Sequence, residues 1–288
     1  MKTQYVRCPL CDADQPHPVR QVKSLYSDDL FTVVKCRACG MLYINPWEDW
    51  TEKEARLKEW EDIPGFERAA AGETGTYRQV LGELERHCPP GRLLDVGCGT
   101  GGFLRLAREA GWEGEGVEIN RSVGRYAAEK HGLRIFPGTL QEAAFPGDFF
   151  DAVMTINTLE HIHQPLPFMR EAARVLKPEG YFYAMTPNYN NRLTRFIQKV
   201  GLRRQADPID PTGHPCLFTA ATLKKLLSRC GFSLVSLKSG ITGEALFKGN
   251  LKAPVSRALS SAAARRLVFL LTEPFGGGST LRAWAKKP

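Results

Sequence analysis

Leu93–Leu104, LLDVGCGTGGFL, reads as the end of a buried parallel strand, a glycine turn and the start of a helix. Leu93, Leu94 and Asp95 close the strand, Gly97, Gly99, Gly101 and Gly102 form the turn, and FLRLAREAGW continues with helical apolar spacing. Such a βα unit opens a nucleotide-binding sheet, because glycines let a ligand approach the backbone without meeting a Cβ. Two ligand classes use it. Gly97, Gly99 and Gly102 also satisfy the dinucleotide spacing G-x-G-x-x-G, and Glu118, 23 residues after Asp95, can hold ribose hydroxyls in either class. Asp95 separates the two. Its carboxylate would face the pyrophosphate of a dinucleotide and repel it, whereas it favours the ammonium and sulfonium of S-adenosylmethionine.

Asp95-V-G-C-G-T-Gly101 followed by Glu118 resembles the cofactor signature of class I S-adenosylmethionine-dependent methyltransferases. FFDAVMTINTLEHI (149–162), LKPEGYFYAMTPN (176–188) and HPCLFTAATLKKLLSRCGF (214–232) are similar to the fourth strand, the fifth strand and a following helix of small-molecule methyltransferases. Ubiquinone-type O-methyltransferases and bacterial sugar or natural-product methyltransferases are nearest in pattern. The resemblance implies a Rossmann-like α/β sheet of order 3-2-1-4-5-7-6 with an antiparallel last strand, here TLRAWAKK. It implies that Asp95, Gly97, Gly99, Gly101 and Glu118 bind the cofactor, that Ile119 packs on its adenine, and that Asn157 touches its methionine end. Family members often carry an acid at the position of Thr139 to bind the adenine amino group; Thr139 can accept that hydrogen bond less strongly.

The acceptor side is read from histidines. The segment L159-E160-H161-I162-H163 follows the fourth strand, where the methyl group must be delivered, and a neutral imidazole suits a general base for a hydroxyl acceptor. His161 is the first candidate. His163 is a lesser one, and His214, whose family counterpart faces the substrate cleft, is the second. Against all three stands a purely structural role, since an activated sulfonium needs little beyond in-line alignment of the acceptor. Asn188 and Tyr77 or Arg78 are further residues placed near the cofactor.

C8-P-L-C11 and C36-R-A-C39 bring four thiolates to one tetrahedral centre, which predicts structural zinc held by Cys8, Cys11, Cys36 and Cys39. With no open coordination position, catalysis by that metal is not expected. The expected organisation is a zinc ribbon over 1–46, a helical linker or cap over 47–71 whose helix Thr51 caps and which carries Trp50 and Trp60, and a methyltransferase domain over 72–288. That domain begins with a helix over 72–88 and contains basic insertions at 189–213 and 246–278.

The chain has 288 residues and a formal net charge of +8. Its cations concentrate: Arg192, Arg195, Lys199, Arg203 and Arg204 give +5, and the stretch from Lys248 to Pro288 gives +7, so the remainder is net acidic. The first cluster predicts an acceptor with an anionic portion. Residues 254–272 read as a basic amphipathic helix for a peripheral membrane or homodimer contact. MKTQYVRCPLCDADQ lacks an apolar signal region and LVFLL is too short for a span, so a cytoplasmic protein is expected.

The expected function is therefore methyl transfer from S-adenosylmethionine to a small molecule, most often an oxygen of a sugar, lipid-linked or natural-product intermediate. The alternative is a nucleic-acid (rRNA or tRNA) methyltransferase that uses the ribbon and basic insertions to track phosphates. A non-catalytic scaffold and a dehydrogenase rank below these two.

Overall fold

The computed structural model describes residues 2–24, 28–59, 62–190, 210–240 and 278–288. The N-terminal part comprises β1 (Thr3–Gln4), β2 (Pro16–Lys23), β3 (Leu30–Cys36), β4 (Leu42–Ile44) and β5 (Trp47–Glu48), then α1 (Trp50–Glu59) and α2 (Ile63–Leu84). There follow β6 (Arg92–Val96), α3 (Gly102–Glu109), β7 (Glu113–Glu118), α4 (Arg121–His131), β8 (Arg134–Pro137), β9 (Phe150–Ile156), α5 (Pro165–Val175) and β10 (Leu176–Pro187). The described chain ends with β11 (Cys216–Leu217), α6 (Ala220–Arg229), β12 (Ser233–Gly240) and β13 (Thr280–Lys286).

Seven strands form the main sheet in the order β12-β13-β10-β9-β6-β7-β8. Counted from β6, this is the 3-2-1-4-5-7-6 order that the family resemblance implied. β6 to β10 pair in parallel, while β13 runs antiparallel to both of its neighbours. β6 and β9 are buried along nearly their whole length because helices cover both faces of the sheet. One face packs Leu93, Met154, Tyr183 and Trp284 against Val80, Leu84, Phe103 and Leu104 of α2 and α3. The other packs Leu94, Val153 and Phe182 against α5 and α6. A fully buried leucine or phenylalanine of this kind contributes about 1.5–3 kcal/mol.

The second core does not stop at the sheet. It runs on into Cys8, Leu10, Val34, Cys36, Met41 and Tyr43 of the N-terminal strands. β11 adds to their sheet, giving the order β11-β4-β3-β2, with Cys216 opposite Tyr43 and Leu217 opposite Leu42. Two residues from far along the chain thus complete the N-terminal sheet, a pairing that no periodicity announces.

Two local expectations are corrected. The first helix of the cap is capped by Asp49, whose Oδ1 accepts the Glu52 N–H at 3.2 Å, and Thr51 already lies within it. The next helix begins at Ile63, nine residues ahead of the expected start, because the Asp62 carboxylate accepts the Gly65 N–H at 3.0 Å and Pro64 suits a first turn. It therefore runs across the 71/72 boundary. Trp60, the cations from Arg192 to Arg204 and the 254–272 stretch lie outside the described residues, as do most of the 189–213 and 246–278 insertions. Among the described residues, no helix is long and apolar enough to cross a membrane.

Candidate functional site

The glycine turn sits where β6 meets α3, at the carboxyl edge of the sheet. Gly97, Gly99 and Gly101 have φ of +75°, +52° and +76°, the left-handed region that side chains disfavour. A Cβ on Gly97 would stand 2.3 Å from Thr158 Oγ1, so the turn lies directly against the loop leaving β9. Glu118 is buried at the end of β7; its Oε2 accepts the Gly99 N–H and its Oε1 the Asn120 N–H, both at 2.9 Å. Each oxygen retains a lone pair for a ribose hydroxyl.

Asp95 is 3% exposed, and its Oδ1 has no hydrogen-bond partner among the described residues. Burial, with the neighbouring Glu118 carboxylate, pushes its pKa up to about 8. Glu73 Oε2 on α2 is a second buried oxygen without a partner among the described residues, and Tyr77, one turn later, feels both Asp95 and Glu73. Unpaired carboxylate oxygens in a buried place are costly unless a cation or donor joins them. These residues fit the cationic methionine end of S-adenosylmethionine. Ile119 is half-buried beyond Glu118. Thr139 and Glu142 hold each other in a turn: Glu142 Oε2 accepts the Thr139 N–H at 2.7 Å, and Thr139 Oγ1 accepts the Glu142 N–H at 3.2 Å.

Across the Gly97–Thr158 contact lies the histidine cluster. Glu160 and His161 belong to a single 3-10 turn, Leu159–His161, and His214 comes from the loop before β11. Nitrogen or carboxylate atoms of Glu160, His161 and His214 all lie within 4.8 Å of one another, and the two imidazole centroids are 4.6 Å apart. His161 Nδ1 donates to the Gly213 carbonyl at 2.8 Å, since a carbonyl can only accept. That bond leaves the lone pair on Nε2. His214 Nδ1 shares a 2.7 Å hydrogen bond with Tyr189 Oη. Glu160 is fully enclosed, accepts the Thr186 hydroxyl at 2.8 Å, and is pushed up to about 7 by burial. His161 keeps one edge open to solvent, yet the protein crowding its ring and the neighbouring His214 hold its pKa well below the ordinary value. His163 is buried and packs against Trp47 and Trp50, with ring centroids 4.9 and 4.6 Å away.

A third constellation lies in the N-terminal part. The sulfurs of Cys8 and Cys39 are 3.4 Å apart and those of Cys11 and Cys36 3.6 Å, and all four lie within 4.8 Å of one another. Tetrahedral zinc, with Zn–S near 2.3 Å, sets its sulfurs roughly 3.8 Å apart, so the four residues fit that ion.

Residues 69–237 match the methyltransferase-domain family. The chain is a member of the class I S-adenosylmethionine-dependent methyltransferases. Among curated relatives, a ubiquinone biosynthesis O-methyltransferase of Ruegeria pomeroyi is 36% identical over 124 residues, covering 39% of this chain and 50% of that protein. One from Cereibacter sphaeroides is 36% identical over 104 residues, covering 34% and 42%. The chain thus spans about half the length of the curated relatives it matches. Among solved structures, a SAM-dependent methyltransferase of Thermotoga maritima superposes with a TM-score of 0.55 at 19% identity, covering 83% of this chain and 100% of that one. Another, from Mesorhizobium loti, gives 0.51 at 18% identity, covering 75% and 98%.

Within this methyltransferase fold, Asp95, Gly97, Gly99, Gly101 and Glu118 converge on one edge, and His161 and His214 meet beside it. Asn157 adopts φ +53° and is exposed on the same edge, its N–H bonded to the Met185 carbonyl. Asn188 is buried and its amide donates to the Gly278 carbonyl, so it secures the entry to β13. Three residues escaped sequence reading. Glu142 is signalled by the T-x-x-E spacing of a capping pair, and Glu73 by its place one helical turn before Tyr77. Tyr189 carried no sequence signal beyond following Asn188.

Proposed function

We propose that this chain transfers a methyl group from S-adenosylmethionine to an oxygen of a small-molecule acceptor, such as a sugar, lipid-linked or natural-product intermediate. The observation that carries the reading is adjacency: the turn with the unpaired Asp95 oxygen lies against the loop that places Glu160 and His161. The oxygen preference draws on the printed activity of the ubiquinone biosynthesis relatives. S-adenosylmethionine supplies a methyl already activated on a sulfonium.

Asp95 and Glu73 hold the cationic end, Glu118 the ribose, and Ile119 the adenine face. His161, neutral at pH 7, would take the acceptor's hydroxyl proton on Nε2 as that oxygen accepts the methyl the bound cofactor would supply. The proton leaves through the solvent-open edge of the ring, because burial and the neighbouring His214 disfavour a lasting imidazolium. Cys8, Cys11, Cys36 and Cys39 would hold a structural zinc with no open position for catalysis.

Incubating the protein with methyl-deuterated S-adenosylmethionine and a metabolite extract, followed by mass spectrometry, tests the proposal. A labelled small molecule is expected, with His161→Gln reducing its formation by roughly 100-fold or more while cofactor affinity is kept. Because burial and the neighbouring His214 hold the imidazole neutral, His161 is expected to add no inflection to the wild-type rate between pH 7 and pH 6. Label appearing in RNA in place of a small molecule would overturn the acceptor class. Equal rates for the two proteins would remove His161 as base.

A further inference from the structure

The loop that carries His214 is held by the N-terminal cysteine module at several points. Ile44 donates its N–H to the Pro215 carbonyl at 3.0 Å, and β11 pairs with β4 immediately after it. Helix α1 leans on the same place. Trp50 packs on His163, and Lys53, three residues on and therefore on the same helical face, donates Nζ–H to the Thr212 carbonyl at 2.6 Å.

Lys53 is an unusual residue to find here. It is 4% exposed, and among the described residues no carboxylate lies within salt-bridge distance of it. Glu48, the nearest acid on its own side, is engaged by both terminal nitrogens of Arg56, at 2.5 and 2.9 Å. A buried ammonium with a single bond to a carbonyl costs folding free energy, which favours a use for it. The carbonyl it holds is adjacent to Gly213, whose own carbonyl fixes the His161 ring, and Asp210 closes the same turn by accepting from Thr212 and from the His214 N–H.

We propose that the cysteine module forms the outer wall of the acceptor site, and that Lys53 is the positioning residue through which it fixes the 210–214 loop beside the two histidines. The groups facing these imidazoles are each other, Lys53 from α1, Asp210 from the loop and Glu160 from the 3-10 turn. Glu48, Arg56, Asp210 and Cys216 face Lys53. Of these, the ammonium opposes a second positive charge on either ring, while Asp210 works the other way.

The test uses the full chain without cofactor or acceptor, so its failure is separate from failure of the methyl-transfer reading. In Lys53→Met, hydrogen exchange at the Thr212 and His214 amides is expected to quicken roughly tenfold or more, as the turn opens locally. The ring titrations of His161 and His214, followed by histidine-selective NMR, are expected to move up by about one pH unit. Lys53→Arg should restore both towards wild type. Arg229→Met cuts a module contact away from the loop, the bond to the Leu10 carbonyl, and should change neither. If Lys53→Met does not fold, Lys53→Gln, neutral but still a donor, is read for the titration shift. Unchanged titrations in the neutral variants, or equal loop opening in Arg229→Met, would overturn the proposal.

Discussion

Asp95→Asn is expected to weaken S-adenosylmethionine binding by roughly 100-fold, about 2.7 kcal/mol, and at the same time to make the unliganded protein more stable. Both effects have one cause. The carboxylate is buried beside Glu118 with an oxygen that has no hydrogen-bond partner among the described residues, so it awaits a cationic ligand at a cost to the empty fold. The sign follows from proton linkage. An acid whose folded pKa, about 8, exceeds its unfolded value near 3.8 binds a proton more tightly when folded, so its presence lowers stability progressively as pH rises from about 4 to 8. Asparagine removes that penalty. At pH 8 the variant should melt higher by roughly 4–8 °C, corresponding to about 2 kcal/mol, and at pH 4 the difference should vanish. Calorimetric titration and thermal melts at the two pH values check it. A variant that binds as tightly as wild type would remove Asp95 from the cofactor site.

Cys36→Ser is expected to abolish metal binding and to destabilise far more than the module it belongs to. Cys36 is completely buried, its sulfur 3.6 Å from that of Cys11, and its N–H is bonded to the Met41 carbonyl. Zinc bound by four thiolates contributes about 10 kcal/mol or more to the folded state of small domains at neutral pH. Here the loss would pass into the main fold, because the module shares its core with α5 and α6. It is also tied to α6 by Lys225 on the Cys39 carbonyl, at 2.7 Å, and by Arg229 on the Leu10 carbonyl, at 2.9 Å. The α2 and α3 face, which carries the glycine turn, belongs to a separate core and should hold longer. Metal analysis should find one zinc per wild-type chain, and a chelator should lower the melting temperature of wild type and leave the variant unmoved. Wild-type protein without zinc and insensitive to chelator would contradict this.

How much the sequence disclosed depended on the range over which each feature is encoded. The glycine turn, Asp95 and Glu118 are written into one contiguous βα unit, and the sheet order came from the family resemblance that this unit and the later segments carry. The four cysteines announce their centre by spacing alone. The β4–β11 pairing was invisible, because two-residue strands have no period and their partners lie more than 170 positions apart. Nothing in the sequence singles out Lys53, since a lysine on a short helix is ordinarily exposed. Its burial follows from tertiary contacts with a loop that propensity does not describe. The early start of α2 was hidden because IPGFERAAAGETG mixes glycines with small residues and lacks the apolar spacing of TYRQVLGEL. Thr139 was chosen for its position in the resemblance, while the acid beside it, Glu142, lay three residues on in the same turn.

A titration of the wild-type protein with S-adenosylmethionine and, separately, with NAD addresses the central claim most directly. If the buried anion at the glycine turn selects a cationic sulfur ligand and rejects a pyrophosphate, isothermal calorimetry will record one S-adenosylmethionine per chain and no heat from NAD. Saturable NAD binding with no response to S-adenosylmethionine would contradict it.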